Sequence, residues 1–165
     1  MERRLVVMRH AKSSWKDESL RDHERPLNKR GRRDAPRIGA ELAKLGWVPQ
    51  RVISSDATRT RETFELIAEP LGNPDARFTG ELYLAGPNEV ETALRELPDE
   101  VETALVLGHN NGWEEVVAWL SGEATTLTTA NAALLWCEAA TWPEAVDAAG
   151  EWTLHEVVRP KELPS

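Results

Sequence analysis

Short apolar runs alternate along the chain with longer segments in which hydrophobic residues recur every three or four positions. Val6–Met8, Val52–Ile53, Ala104–Leu107, Ala133–Trp136 and Trp152–Val158 read as strands, and Arg77–Thr79 is a weaker candidate. Ile38, Leu42 and Leu45 mark a helix that Gly46 closes, and Phe64, Ile67 and Leu71 mark a second closed by Gly72. Two more helices are predicted over Asn88–Leu97, after Pro87, and over Gly112–Leu120. Pro36 is awkward inside the first: either the helix kinks there or it starts near Asp34, with the proline in its first turn. The alternation predicts an α/β domain, a three-layer α/β/α sandwich around a mostly parallel sheet.

Composition narrows the function classes. A chain of 165 residues is expected to form one domain, here residues 1–158, with 159–165 ("RPKELPS") as a short C-terminal tail. A net charge of -8 argues against general binding to nucleic acid or to an anionic membrane. The start "MERRLVVMRH" has too short an apolar run for a signal peptide or a membrane span, so a cytoplasmic protein is expected. Cys137, the single cysteine, lies in the apolar stretch "ALLWCEA" and reads as a buried structural thiol. One cysteine and four scattered histidines give no zinc spacing, and neither a metal nor a cofactor is expected.

Three of the predicted strands run into unusual polar residues: "RHAKSS" after Met8, "SSDATRTRET" after Ile53 and "GHNN" after Leu107. The carboxyl ends of parallel strands share one edge, where ligands bind. Arg9, His10, Arg59 and His109 are therefore expected to converge, with Ser55 as the N-cap of the helix carrying Arg59. Two arginines, a helix N-terminus and two histidines describe an anion site, most simply one for phosphate. A neutral imidazole attacks phosphorus well, and Arg9 beside it neutralises the oxygens that would repel the attack. His109 would stabilise the same oxygens from the other side. Taken singly, each motif also suits a loop pair, a turn or a solvated helix face; their common placement after strands favours the site.

The motifs "RHAKSSW", "ERPLNKRG", "SSDATRTRET", "ELYLAG" and "LGHNNG" together resemble the histidine phosphatase superfamily, and within it the short SixA-type phosphohistidine phosphatases. The resemblance implies a phosphoglycerate mutase-like fold, His10 as the phosphorylated nucleophile, and Arg9, Arg59 and His109 as the phosphate pocket. Ala11 replaces the glycine of the family's Arg-His-Gly signature, while Asp56 and Asn111 stand where proline is common. Glu81 precedes "LYLAG" where larger relatives carry a proton-donating glutamate, which makes it the candidate general acid. Arg25, Lys12 and Ser13 are candidate substrate contacts at the edge of the pocket. Arg21, Lys29, Arg30, Arg32, Arg33 and Arg37 form a basic segment that reads mostly as a solvated face, and His23 is expected to be exposed.

The resulting expectation is a metal-independent phosphatase working through a covalent phosphohistidine. Its substrate, as the resemblance implies, is expected to be a phosphohistidine on a protein, and short spacers that leave little material for a lid fit such a substrate. A small-molecule phosphomonoesterase or mutase acting on a phosphorylated metabolite is the alternative enzyme. A non-catalytic phosphate-binding module is the alternative of another class, disfavoured because binding alone needs only the cations.

Overall fold

The computed structural model describes residues 1–164. Six strands form one sheet: β1 (Glu2–Arg9), β2 (Arg51–Ser55), β3 (Asp75–Thr79), β4 (Thr103–Gly108), β5 (Ala132–Glu138) and β6 (Thr153–Val158). Their order is β3-β2-β4-β1-β5-β6, with β5 antiparallel to both neighbours and the other pairings parallel. Five helices connect them: α1 (Lys29–Lys44), α2 (Thr58–Ala68), α3 (Pro87–Arg95), α4 (Gly112–Ser121) and α5 (Trp142–Asp147).

Alternation along the central strands builds the three layers. Leu5 and Val7 of β1, with Ala104 and Val106 of β4, face a core closed by α3, α4 and α5. Val6, Met8, Leu105 and Leu107 face the opposite core, which Ile38 and Leu42 of α1 and Ile67 of α2 close. The central strands are thus buried on both faces, as their unbroken apolar runs require. β1 and β4 are neighbours, yet α1 leaves β1 for one face of the sheet and α4 leaves β4 for the other. That divergence opens a crevice at the carboxyl ends of the two strands.

Three sequence expectations need correcting. The first helix starts at Lys29, well before Asp34, because Asn28 in extended backbone caps it by accepting from the Gly31 amide at 2.9 Å. Pro36 therefore sits inside the helix, which gives up one rung of its hydrogen-bond ladder there. The second helix ends at Ala68, ahead of Pro70, and only its closing turn carries Leu71 and Gly72. Ser55 does not cap that helix: Ala57 holds the N-cap position, while Ser55 ends β2 with its hydroxyl turned to other partners. A fifth helix, α5, lies outside the elements that the hydrophobic pattern predicts, although "TWPE" carries its signal. Thr141 caps it by accepting from the Glu144 amide at 3.2 Å.

The last described residues lie against α1, whose Arg37 donates to the carbonyls of Pro160, Leu163 and Pro164. Among the described residues no helix is long and apolar enough to cross a membrane. Cys137 is buried, and burial pushes its thiol up to about 11, as a structural role predicts.

Candidate active site

His10 follows the last residue of β1, and its neighbours hold it on all sides. Its amide donates to the Gly108 carbonyl at 3.0 Å, and its carbonyl accepts from the Ala130 amide at 2.9 Å. The next amide, of Ala11, donates at 3.0 Å to the Thr63 hydroxyl, which itself donates to the Arg59 carbonyl on α2. One residue further, the Lys12 carbonyl accepts from the Asn28 amide at 2.9 Å. Here α1 comes so close that a Cβ on Gly31 would stand 2.2 Å from that carbonyl oxygen. The turn after β1 is thus fixed by α1, α2 and β4 together.

A cavity of about 190 Å³ opens over this turn. It brings together Arg9, His10, Lys12 and Ser13 from the end of β1, Arg25 from the following loop, Arg59 from α2 and His109 from the end of β4. Trp15, Leu84, Asn110 and Thr129 complete the wall. Glu81 is not brought there: it is exposed in the short turn after β3, where its amide donates to the Thr79 hydroxyl. Among the described residues no carboxylate lines the cavity.

The two imidazoles lie 5.4 Å apart, centroid to centroid, and both are buried. The Nδ1–H of His10 donates to the Ala11 carbonyl at 2.7 Å, which leaves Nε2 with its lone pair free. Burial, and then the nearby guanidinium groups of Arg59, Arg9 and Arg25, push its pKa down to about 3. His109 is pushed to about 3 as well, by burial first and then by His10 and Arg59. Nε2 of His109 pairs with the Ser55 hydroxyl at 2.8 Å, and Ser55 Oγ also accepts from the Ala57 amide. With the hydroxyl proton given to Nε2, the neutral ring carries its own proton on Nδ1. That Nδ1 is buried without a partner, as are the Nε atoms of Arg9 and Arg59. Among the described residues Asn110 Oδ1 is the one partnerless buried acceptor beside these three donors, and donors in that excess suit a ligand rich in acceptor oxygens.

Behind the wall, Asp22 organises the arginines, a role its sequence position did not reveal. Its carboxylate pairs with Arg59 Nη2 at 3.0 Å and Arg25 Nε at 3.1 Å and accepts from the Tyr83 hydroxyl, and its carbonyl accepts from Arg59 Nη1 at 2.7 Å. Partial burial acts to raise its pKa, but the hydrogen bonds from Tyr83, Arg59 and Arg25 hold it below the usual carboxylate range. Arg25 reaches on to the Ser13 hydroxyl at 2.7 Å, so Ser13 is held by an arginine at the rim. On the other side Glu114 accepts from Asn110 Nδ2 at 2.8 Å, and the Leu127 carbonyl takes Arg9 Nη1 at 3.0 Å. His23 is only half exposed and pairs with Asp56 at 2.7 Å, which accounts for an aspartate at that position. The basic residues Lys29, Arg30, Arg32 and Arg33 are exposed, as a solvated face predicts.

A mostly parallel α/β sheet thus carries two arginines and two neutral histidines at its switch point, an arrangement with the chemistry to hold an oxyanion beside a free imidazole lone pair. Residues 5–98 match the histidine phosphatase superfamily, branch 1, and the chain belongs to it. An uncharacterized chloroplastic protein of Arabidopsis thaliana is 42% identical over 171 residues, covering 96% of this chain and 78% of that one. An uncharacterized Mycobacterium tuberculosis protein is 39% identical over 102 residues, 62% of each chain, so the match spans less than two thirds of that relative. Among solved structures, a chain from Nakamurella multipartitia provisionally assigned as the phosphohistidine phosphatase SixA superposes with a TM-score of 0.82 at 27% identity, covering 97% of both chains. A protein histidine phosphatase SixA complexed with tungstate superposes at 0.81 with 24% identity, covering 98% of this chain and 99% of that one, and shares the fold. The phosphoglycerate mutase-like architecture expected from the resemblance is the one observed.

Proposed function

We propose that the protein is a phosphohistidine phosphatase that removes the phosphoryl group from a histidine of another protein through a phosphohistidine on its own His10. The phosphoryl oxygens accept hydrogen bonds from Arg9, Arg59 and His109, whose two Nε atoms and Nδ1 otherwise lie buried without partners. Nε2 of His10 attacks phosphorus, the bond from phosphorus to the substrate imidazole breaks, and that imidazole leaves with a proton from solvent. Water then attacks the phosphoryl group on His10, giving up a proton, and releases inorganic phosphate with His10 neutral again. The arginines supply the positive charge that a metal supplies in other phosphatases, so a strong chelator should leave the rate unchanged.

The observation that supports this substrate class is a cavity wall whose titratable side chains, among the described residues, are arginines, a lysine and two histidines. An alkyl phosphate expels an alkoxide and depends on a general acid worth about 10²–10⁴-fold. Phosphohistidine expels an imidazole, a base of pKa roughly 6.5 that solvent protonates readily. A wall of arginines and neutral imidazoles suits the second leaving group. The likeness to the Nakamurella chain supports the same reading. The test is a panel of a histidine-phosphorylated protein, sugar phosphates and an aryl phosphate. The phosphoprotein should give a kcat/KM at least about tenfold above any sugar phosphate; the reverse preference would replace this reading with the small-molecule phosphatase.

A further inference from the structure

Two of the most exposed hydrophobic side chains of the protein stand at the mouth of this one cavity. Trp15 is 69% exposed and Leu84 59% exposed, and both line its opening. Neither is exposed through looseness. The Arg25 guanidinium lies 3.5 Å from the centroid of the Trp15 ring, and that guanidinium is held in turn by Asp22, Ser13 and the Ser14 carbonyl. Leu84 has a left-handed backbone with φ 52°, a conformation unfavourable for a residue with a branched side chain. Its neighbours keep it there. Tyr83 donates to Asp22 and packs edge-on against His109, and Ala85 fits so tightly against α4 that a Cβ on Gly112 would stand 1.7 Å from the Ala85 carbonyl oxygen. Backbone strain of this kind, held by a surrounding structure, clusters at ligand clamps.

The cavity itself is small. Its volume of about 190 Å³ falls below the roughly 300–1,000 Å³ of sites that enclose a whole small ligand. It has room for a phosphoryl group and the atoms beside it, so whatever carries that group must be recognised outside, at the rim. A polyol there would need partners for its hydroxyls, and the two most exposed side chains of the wall, an indole and a leucine, offer its hydroxyls little. Exposed tryptophan and leucine fixed in place suit the apolar surface of a protein partner, where a tryptophan is a common energetic anchor.

Resting on the phosphohistidine reading, we propose that Trp15 and Leu84 form a carrier clamp. They grip the protein surface around the phosphorylated histidine and select phosphohistidine on a folded protein over the free phosphorylated amino acid. The test measures kcat/KM for a histidine-phosphorylated phosphotransfer domain and for free phosphohistidine, in the wild type and in Trp15→Ala, Leu84→Ala and Trp15→Phe. The wild type should prefer the protein. The ratio of the two values should fall about tenfold or more in each alanine variant, mainly through KM on the protein, and Trp15→Phe should recover most of it. An unchanged ratio in both alanine variants overturns the clamp while leaving the phosphatase reading standing. Equal losses on both substrates overturn it too, since Trp15 would then act only by steadying Arg25. A wild type that hydrolyses sugar phosphates and no phosphohistidine overturns the clamp together with the reading beneath it.

Discussion

His10 and His109 sit side by side among arginines, and both stay neutral for the same reason: each is buried where a further positive charge would be unpaired. Imidazole-ring NMR should therefore show no protonation step for either between pH 8 and pH 5; a midpoint near the usual value of roughly 6.5 would contradict the account. The same depression makes the fold sensitive to acid. Below about pH 6.5 the unfolded chain takes up protons that folded His10 and His109 refuse, so their contribution to stability is lost as pH falls toward about 3. At Glu81 the expectation is the opposite of the one the sequence suggested. Its exposed carboxylate lies outside the cavity wall, so Glu81→Gln should change kcat/KM less than about threefold on a phosphohistidine protein or on an alkyl phosphate, against the 10²–10⁴-fold of an obligatory acid.

Between elements, the close approach of α1 to the turn after β1 governs the geometry of the site. Gly31→Ala would drive a methyl group into the Lys12 backbone, 2.2 Å from its carbonyl oxygen. It should cost about 1–3 kcal/mol, as overpacking does, and lower activity by moving the turn that holds His10. Thermal denaturation and turnover measured on the same protein check both; an unaltered Tm would show that the contact yields freely. The elements themselves were readable from period and strand ends, since burial on both faces leaves unbroken apolar runs. What was not readable came from competition between local signals. Asn28 outbid Pro36 in setting the start of α1, and Ser55, a good cap by type, was taken by His109. In "RDHERP" only the pairing of Asp22 with Arg25 is local; its other partners, Arg59 and Tyr83, lie 37 and 61 residues away, a distance no local pattern spans.

Across the whole molecule, the chemistry gathers at one edge of the sheet while the opposite edge is bound by a residue that looked unremarkable in the chain. Arg3, at the start of β1, is fully buried and donates to the carbonyls of Asp99, Val101, Ala139 and Ala140, tying the approach to β4 to the turn between β5 and α5. Arg3→Met should leave the carbonyls of Asp99, Ala139 and Ala140 unpaired, while that of Val101 keeps Trp142 Nε1, and cost about 3 kcal/mol, since each buried orphan costs about 1–3 kcal/mol. Chemical denaturation measures it directly, and a loss under about 1 kcal/mol would mean that water replaces the guanidinium. Its burial could not be read from "MERRLVV", where an arginine between an exposed start and an apolar run gives no sign of the carbonyls that later surround it. The convergence of Arg9, His10, Arg59 and His109 was legible because three strand ends with the same polarity must share an edge.

The central claim is that His10 carries the phosphoryl group. Brief exposure to a histidine-phosphorylated protein followed by rapid denaturation should leave phosphate on His10, stable in base and lost in acid, and His10→Ala should abolish both the label and turnover. Phosphate found on Ser13, Ser14 or Cys137, or turnover retained in His10→Ala, would contradict it.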